Sequence, residues 1–217
     1  MQAQIAREQM VEQQVRAWEV FDERVLDTLR TVPRELFVSE NWRELAFADC
    51  EIPLPCGKRM LRPMLVGRLL QALAPRGGEH ILEVGTGSGY VSACMARLGA
   101  RVRSLELHPP IVELARANLA RIALDSTVEV VHADAMALEE QSRYDAIVLT
   151  ASLPIYDPRF EQALRPGGRL FVVAGLGKTQ RVSLVRRAGE RDWSTEPLFE
   201  TCIEAMEGAP RPPAFDF

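Results

Sequence analysis

The sequence predicts an α/β fold: a mostly parallel sheet with helices on both faces, an N-terminal helical extension and a C-terminal β-hairpin. Three observations predict it. From residue 80 onward, short apolar runs alternate with helix-length segments. A glycine-rich turn, GTGSG, follows the first of those runs directly. Before residue 76, by contrast, apolar positions recur at three- and four-residue intervals, as in helices. The chain has 217 residues, 47% of them hydrophobic, enough for one substantial core.

The first region, 1–75, reads as a helical layer plus a loop. Val25, Leu26 and Leu29 fall on one face of a helix that Pro33 stops, just before PRELFV. The stretch ADCEIPLPCGKRMLRP, with three prolines and a glycine, excludes regular structure beyond short extended pieces. Helical periodicity returns in PMLVGRLLQALA and breaks at PRGG. The second region, 76–217, opens with HILEV as a strand, then the glycine turn and a helix to about Leu98. RVRSLEL is the second strand, and PPIVELARANLARIAL a helix opened by prolines. VEVVHAD and DAIVLTA are the third and fourth strands. DPRFEQALRPGG reads as a helix and RLFVVAG as the fifth strand. The segment from Arg181 to Met206 reads as a hairpin turning near Gly189 and Glu190, followed by a tail. Strands alternating with helices imply right-handed parallel βαβ units. Together the two regions make one structural domain.

Composition narrows the function. A net charge of −4 and an isoelectric point near 5.5 supply no basic footprint for nucleic acid. No apolar run is long enough to cross a membrane, and MQAQIAREQMVEQQ has no pattern of a secretory leader, so a cytoplasmic location is expected. Cys50, Cys56, Cys94 and Cys202 show no C-x-x-C pair and no histidine at metal-ligand spacing; they read as reduced and mostly structural, with no metal site.

Open α/β sheets bind ligands at the carboxyl ends of their strands, where strand order switches. Gly85, Gly87 and Gly89, with Thr86 and Ser88 between them, permit close approach of backbone to a ligand. Their spacing is G-x-G-x-G, not the G-x-G-x-x-G of pyrophosphate-binding turns. Glu83 stands just before them, where a carboxylate repels pyrophosphate but suits a cofactor with an amino group and a sulfonium. Glu106, followed by Leu107, ends the second strand about twenty residues on, where an acid accepts from ribose hydroxyls. Asp134, followed by Ala135, closes the third strand and suits an exocyclic amine; a helix N-cap is its alternative role. Thr150 ends the fourth strand near the expected reaction centre, while Asp145 at its start reads as structural. His108 and His132 read as surface or loop histidines.

An acid before G-x-G-x-G, an acid ending strand two, Asp134 after strand three and PGG before strand five together resemble the Rossmann-like class I S-adenosylmethionine-dependent methyltransferases. From about Gln9 to Ala188, the segments MVEQQVRAWEVFDERVLDTLRTVPRELFV, PLPCGKRMLRP and ILEVGTGSGY resemble the protein-L-isoaspartate O-methyltransferase family in order and spacing. The resemblance implies S-adenosylmethionine as cofactor, isoaspartyl-containing proteins or peptides as partner, and methylation of the isoaspartyl α-carboxylate as a repair step. It also places the reacting centre at the loop GKRMLRP, where Leu61 stands at the family's serine and Arg59 at a threonine. The C-terminal tail departs from the family's usual ending as well. Arg59 and Arg62 are candidates to pair with a substrate carboxylate, the alternative being solvated loop arginines. Methylation of a different, small-molecule acceptor, and cofactor binding without turnover, are the alternative functions.

Overall fold

The computed structural model describes residues 2–213. The N-terminal layer begins with α1 (Gln2–Gln9), which widens into a π-helical turn over Met10–Val15 and tightens into a 3-10 turn over Arg16–Trp18. Helix α2 (Glu23–Thr31) follows, N-capped by Asp22, whose carboxylate accepts from the Arg24 amide at 2.9 Å. It buries Val25, Leu26 and Leu29, the face read from the sequence, and ends at Val32 directly before Pro33. PRELF then forms a single 3-10 turn (Arg34–Phe37). The proline-rich loop holds two short strands, β1 (Ile52–Pro53) and β2 (Arg59–Met60), paired antiparallel, and runs into α3 (Pro63–Leu73).

The main sheet contains β3 (His80–Val84), β4 (Arg101–Glu106), β5 (Val128–His132), β6 (Tyr144–Leu149), β7 (Leu164–Ala174), β8 (Gln180–Arg187) and β9 (Trp193–Thr201). Its order is β5-β4-β3-β6-β7-β8-β9, and the pairs from β5 through β7 are parallel. The terminal hairpin is part of this sheet, adding β8 and β9 antiparallel to β7. After β5 the chain returns to the other side of β3, so the switch in strand order lies at the carboxyl end of β3.

Pleating divides the core. Ile81, Val102, Val130, Val148 and Phe171 face α3, α4 (Tyr90–Arg97), α5 (Pro109–Ala120) and the N-terminal layer, all in one apolar cluster. Leu82, Val84, Leu105, Ile147 and Leu170 face the other side, packed with Phe160 of the one-turn helix α6 (Arg159–Gln162) and with Met206 and Ala209 of the tail. That second face therefore has far thinner helical cover than the first.

Two sequence expectations need correction. DPRFEQALRPGG forms only α6, because Pro166 disfavours helix at Arg165 and β7 already starts at Leu164. The PGG segment bulges: Leu164 pairs with Tyr144, and Arg169 with Ala146. Gly168 sits where a Cβ would lie 2.8 Å from the Arg165 carbonyl, which explains glycine there. The cysteines are all free thiols, but only Cys94 is fully buried, and Cys56 and Cys202 are exposed. No helix among the described residues is long and apolar enough to cross a membrane.

Candidate functional site

A cavity of about 850 Å³, counting its open mouth, lies at the carboxyl ends of β3, β4, β5 and β6. The turn after β3 forms its floor through Gly85 and Gly87. Gly85 adopts φ +91°, and a Cβ there would sit 2.3 Å from Thr150 Oγ1. That hydroxyl donates to the carbonyls of Gly85 (2.6 Å) and Val84 (3.0 Å), clamping the turn to the end of β6. Thr150 lines the cavity, and its one hydroxyl proton is committed to this clamp, so it holds the turn.

Glu106 and Leu107 form the wall beyond β4. Glu106 is 6% exposed and accepts from the amides of Gly87 and His108, each at 3.1 Å. Both carboxylate oxygens are thereby oriented, with lone pairs left for a diol. Asp134 and Ala135 line the cavity beyond β5. The N-cap role considered for Asp134 is realised: Oδ1 caps the 3-10 turn Ala135–Ala137 by accepting from the Met136 amide at 2.8 Å, and Oδ2 makes no hydrogen bond among the described residues.

The remaining residues expected at the turn face inward. Glu83 is fully buried and lies outside the cavity lining, because the β3 pleat directs it beneath the turn toward α4. There it accepts from the hydroxyls of Ser92 on α4 and Ser104 on β4 (2.6 Å for Ser104), and Ser104 meets Thr86 Oγ1 at 2.6 Å. Thr86 and Ser88 are likewise buried away from the cavity, with the Ser88 carbonyl accepting from Asn118 at 3.0 Å. Gly89 caps α4 with φ +85°. These four shape the turn from below.

Burial pushes the Glu83 carboxyl up to about 7, against the opposing effect of the two serine hydroxyls. A raised carboxyl pKa means that the native state prefers the neutral acid. The contribution is fully present below the unfolded value near 4.5 and is lost as pH rises through about 7. Wild-type stability should therefore fall between pH 5 and 8.5 relative to Glu83→Gln, by up to about 3 kcal/mol. Parallel denaturant titrations of the two proteins across this range check it; a pH-independent difference would refute it.

The loop 51–61 closes the cavity opposite the turn. Arg59 and Leu61 line it together. Arg62 does not: at the junction with α3 it enters a separate groove with Trp18, Arg68 and Phe199. The Arg59 side chain makes no ion pair or hydrogen bond among the described residues. Its neighbour Lys58 also lines the cavity, but is paired with Glu204 (2.7 Å) and Glu207 (3.2 Å) of the tail. His108 Nε2 meets Glu207 at 3.0 Å. These contacts hold Glu207 below and Lys58 above their ordinary pKa values. The tail itself docks beside β6, with the Ser152 amide donating to Glu204 O at 2.9 Å and the Met206 amide to Ser152 O at 2.7 Å.

Sequence reading missed Lys58, Glu204 and Glu207, and treated His108 as a surface or loop residue. His108, two residues after the acid that ends β4, is the one that position alone could have flagged. The others are brought together only by docking of the tail.

The cavity carries five carboxylates, from Glu51, Glu106, Asp134, Glu204 and Glu207, against two permanent cations, Lys58 and Arg59. A negative field, an amide-braced glutamate and an aspartate oxygen fit a cofactor with a cationic head, a ribose diol and an exocyclic amine. S-adenosylmethionine has all three.

Residues 5–203 match the family described as protein-L-isoaspartate(D-aspartate) O-methyltransferase. A protein-L-isoaspartate O-methyltransferase of Methanoculleus marisnigri is 40% identical over 204 residues, spanning 93% of this chain and 91% of that protein. One from Aeropyrum pernix is 38% identical over 84% of this chain and 72% of its own length. Among solved structures, a Plasmodium falciparum protein described as a protein-L-isoaspartate O-methyltransferase, crystallised with S-adenosyl-L-homocysteine, superposes with a TM-score of 0.80. It is 21% identical, covering 93% of this chain and 98% of that one, which shows a common fold.

Proposed function

The chain belongs to the protein-L-isoaspartate(D-aspartate) O-methyltransferase family, and we infer from this that it methylates the free α-carboxylate of isoaspartyl residues in damaged proteins, a repair step. S-adenosylmethionine supplies the activated methyl group. The observation that carries the reading to particular residues is that one cavity is floored by the Gly85 turn and Glu106 and faced by Arg59 and Leu61.

The division of labour follows from the side chains. Glu106 and Asp134 would hold the ribose diol and the exocyclic amine, and Gly85 and Gly87 would admit the cofactor against bare backbone. Arg59, its side chain free of intramolecular partners among the described residues, would grip the acceptor carboxylate through its guanidinium fork. A carboxylate is already ionised at neutral pH, so the reaction needs no general base. Lys58 is correspondingly engaged in an ion pair, and His108 in a hydrogen bond, with the tail rather than poised at the centre. Catalysis then rests on positioning, which supplies roughly 7–11 kcal/mol when reacting atoms are held in line. The Leu61 side chain, partly buried against the core, contributes an apolar wall that keeps water from the acceptor.

Steady-state kinetics with an isoaspartyl peptide test the assignment of Arg59. Arg59→Ala is expected to raise the peptide KM about 10- to 30-fold, the loss of a charge-assisted hydrogen bond, with affinity for S-adenosylhomocysteine unchanged. An unchanged KM would remove Arg59 from the site.

A further inference from the structure

The reading above leaves the segment PRELF without a role, and the structure supplies one. Arg34, in the 3-10 turn of that segment, is 0% exposed. Its Nε donates to the Ala46 carbonyl at 2.8 Å and its Nη2 to the Leu61 carbonyl at 2.8 Å. The guanidinium lies over the Tyr90 ring, 4.9 Å from the centroid, and Phe37 packs edge-on against the same ring with centroids 5.4 Å apart. Tyr90 is the first residue of α4, immediately after the glycine turn. No acidic side chain pairs with Arg34 among the described residues, and its Nη1 has no hydrogen-bond partner there. A fully buried cation is a poor source of stability, since an apolar side chain fills such space without the loss of hydration. What this one does is geometric: it ties the carbonyl of the loop residue facing the acceptor to the helix that leaves the cofactor turn.

We propose that Arg34 is a positioning residue for methyl transfer, fixing the Leu61 carbonyl so that Leu61 and Arg59 face the cavity. The inference rests on the functional reading in that it takes the loop 51–61 to be the acceptor side. A planar fork can hold two carbonyls and stack on a ring at once, whereas a lysine ammonium cannot reproduce that arrangement.

The test compares the wild-type chain with Arg34→Lys by hydrogen exchange, by calorimetry with S-adenosylhomocysteine and by kinetics on an isoaspartyl peptide. Amides of 54–62 should exchange about tenfold faster in the variant, while those of β3 and α4 keep their protection. The peptide KM should rise about tenfold, and cofactor affinity should change less than about twofold. Unchanged exchange in 54–62, or a rise spread equally over β3 and α4, would overturn the proposal. If the lysine variant does not fold, Arg34→Gln, whose shorter side chain cannot span the Ala46 and Leu61 carbonyls, provides the same comparison. A wild-type chain inactive on the peptide would defeat the functional reading, and the exchange data would still decide the role of Arg34.

Discussion

Alanine at position 85 is expected to abolish measurable cofactor binding. The added Cβ would stand 2.3 Å from Thr150 Oγ1, and the backbone there, at φ +91°, is one that side chains rarely adopt. Threonine is branched at Cβ and stiff, so it escapes only by turning its hydroxyl away from the Gly85 and Val84 carbonyls. Strain of about 1–3 kcal/mol and a lost hydrogen bond of about 1 kcal/mol then act on the turn that floors the site. S-adenosylhomocysteine affinity should fall more than about 100-fold, with stability lower by about 2–4 kcal/mol. Thr150→Ala in the same chain should recover part of this loss by removing the clash, but not the part due to φ. Calorimetry on the two single variants and the double variant measures both parts; wild-type affinity in Gly85→Ala would contradict the geometry.

Glu106→Gln has the second largest expected effect. Each carboxylate oxygen accepts a backbone amide at 3.1 Å, from Gly87 on one side and His108 on the other. Glutamine offers one oxygen and one amide nitrogen, so on one side two donors must face each other in a nearly buried site. A hydrogen bond to a charged group contributes about 1.5–3 kcal/mol, and leaving a buried donor unmade costs about as much. Cofactor affinity should therefore drop about 30- to 100-fold, while the KM for the acceptor peptide, measured at saturating cofactor, changes little. Isothermal titration and peptide kinetics separate the two constants. Equal losses in both would mean that Glu106 supports the whole cavity instead of the cofactor side.

The fold was readable wherever local pattern decides structure. Strand and helix periods, the glycine turn and the terminal hairpin are properties of short windows, and apart from the segment between β6 and β7 they appear where expected. α6 was overestimated because its amphipathic window takes no account of Pro166 and of β7 starting at Leu164 to pair with Tyr144. For the site, the strand-end acids and the glycines could be placed from the order of elements, but the direction of a side chain depends on the parity of an extended segment. Glu83 illustrates this: it lies one residue out of phase with the cavity-facing Val84 and points elsewhere. Arg62, at the junction with α3, enters a separate groove. The ring formed by Lys58, Glu204, Glu207 and His108 was hidden for a different reason. Lys58 and Glu204 are 146 residues apart, and His108 and Glu207 are 99 apart, so no local pattern links them. Only the docking of the tail along Ser152 brings them to one rim.

The central claim is that the cavity delivers a methyl group to an isoaspartyl carboxylate with Leu61 facing the acceptor. Transfer of labelled methyl from S-adenosylmethionine to an isoaspartyl peptide, beside the otherwise identical aspartyl peptide, tests it most directly. Saturable labelling of the isoaspartyl peptide alone is the predicted result. Tight binding of S-adenosylhomocysteine with no labelling of either peptide would contradict the claim and leave the loop around Leu61 serving some other acceptor.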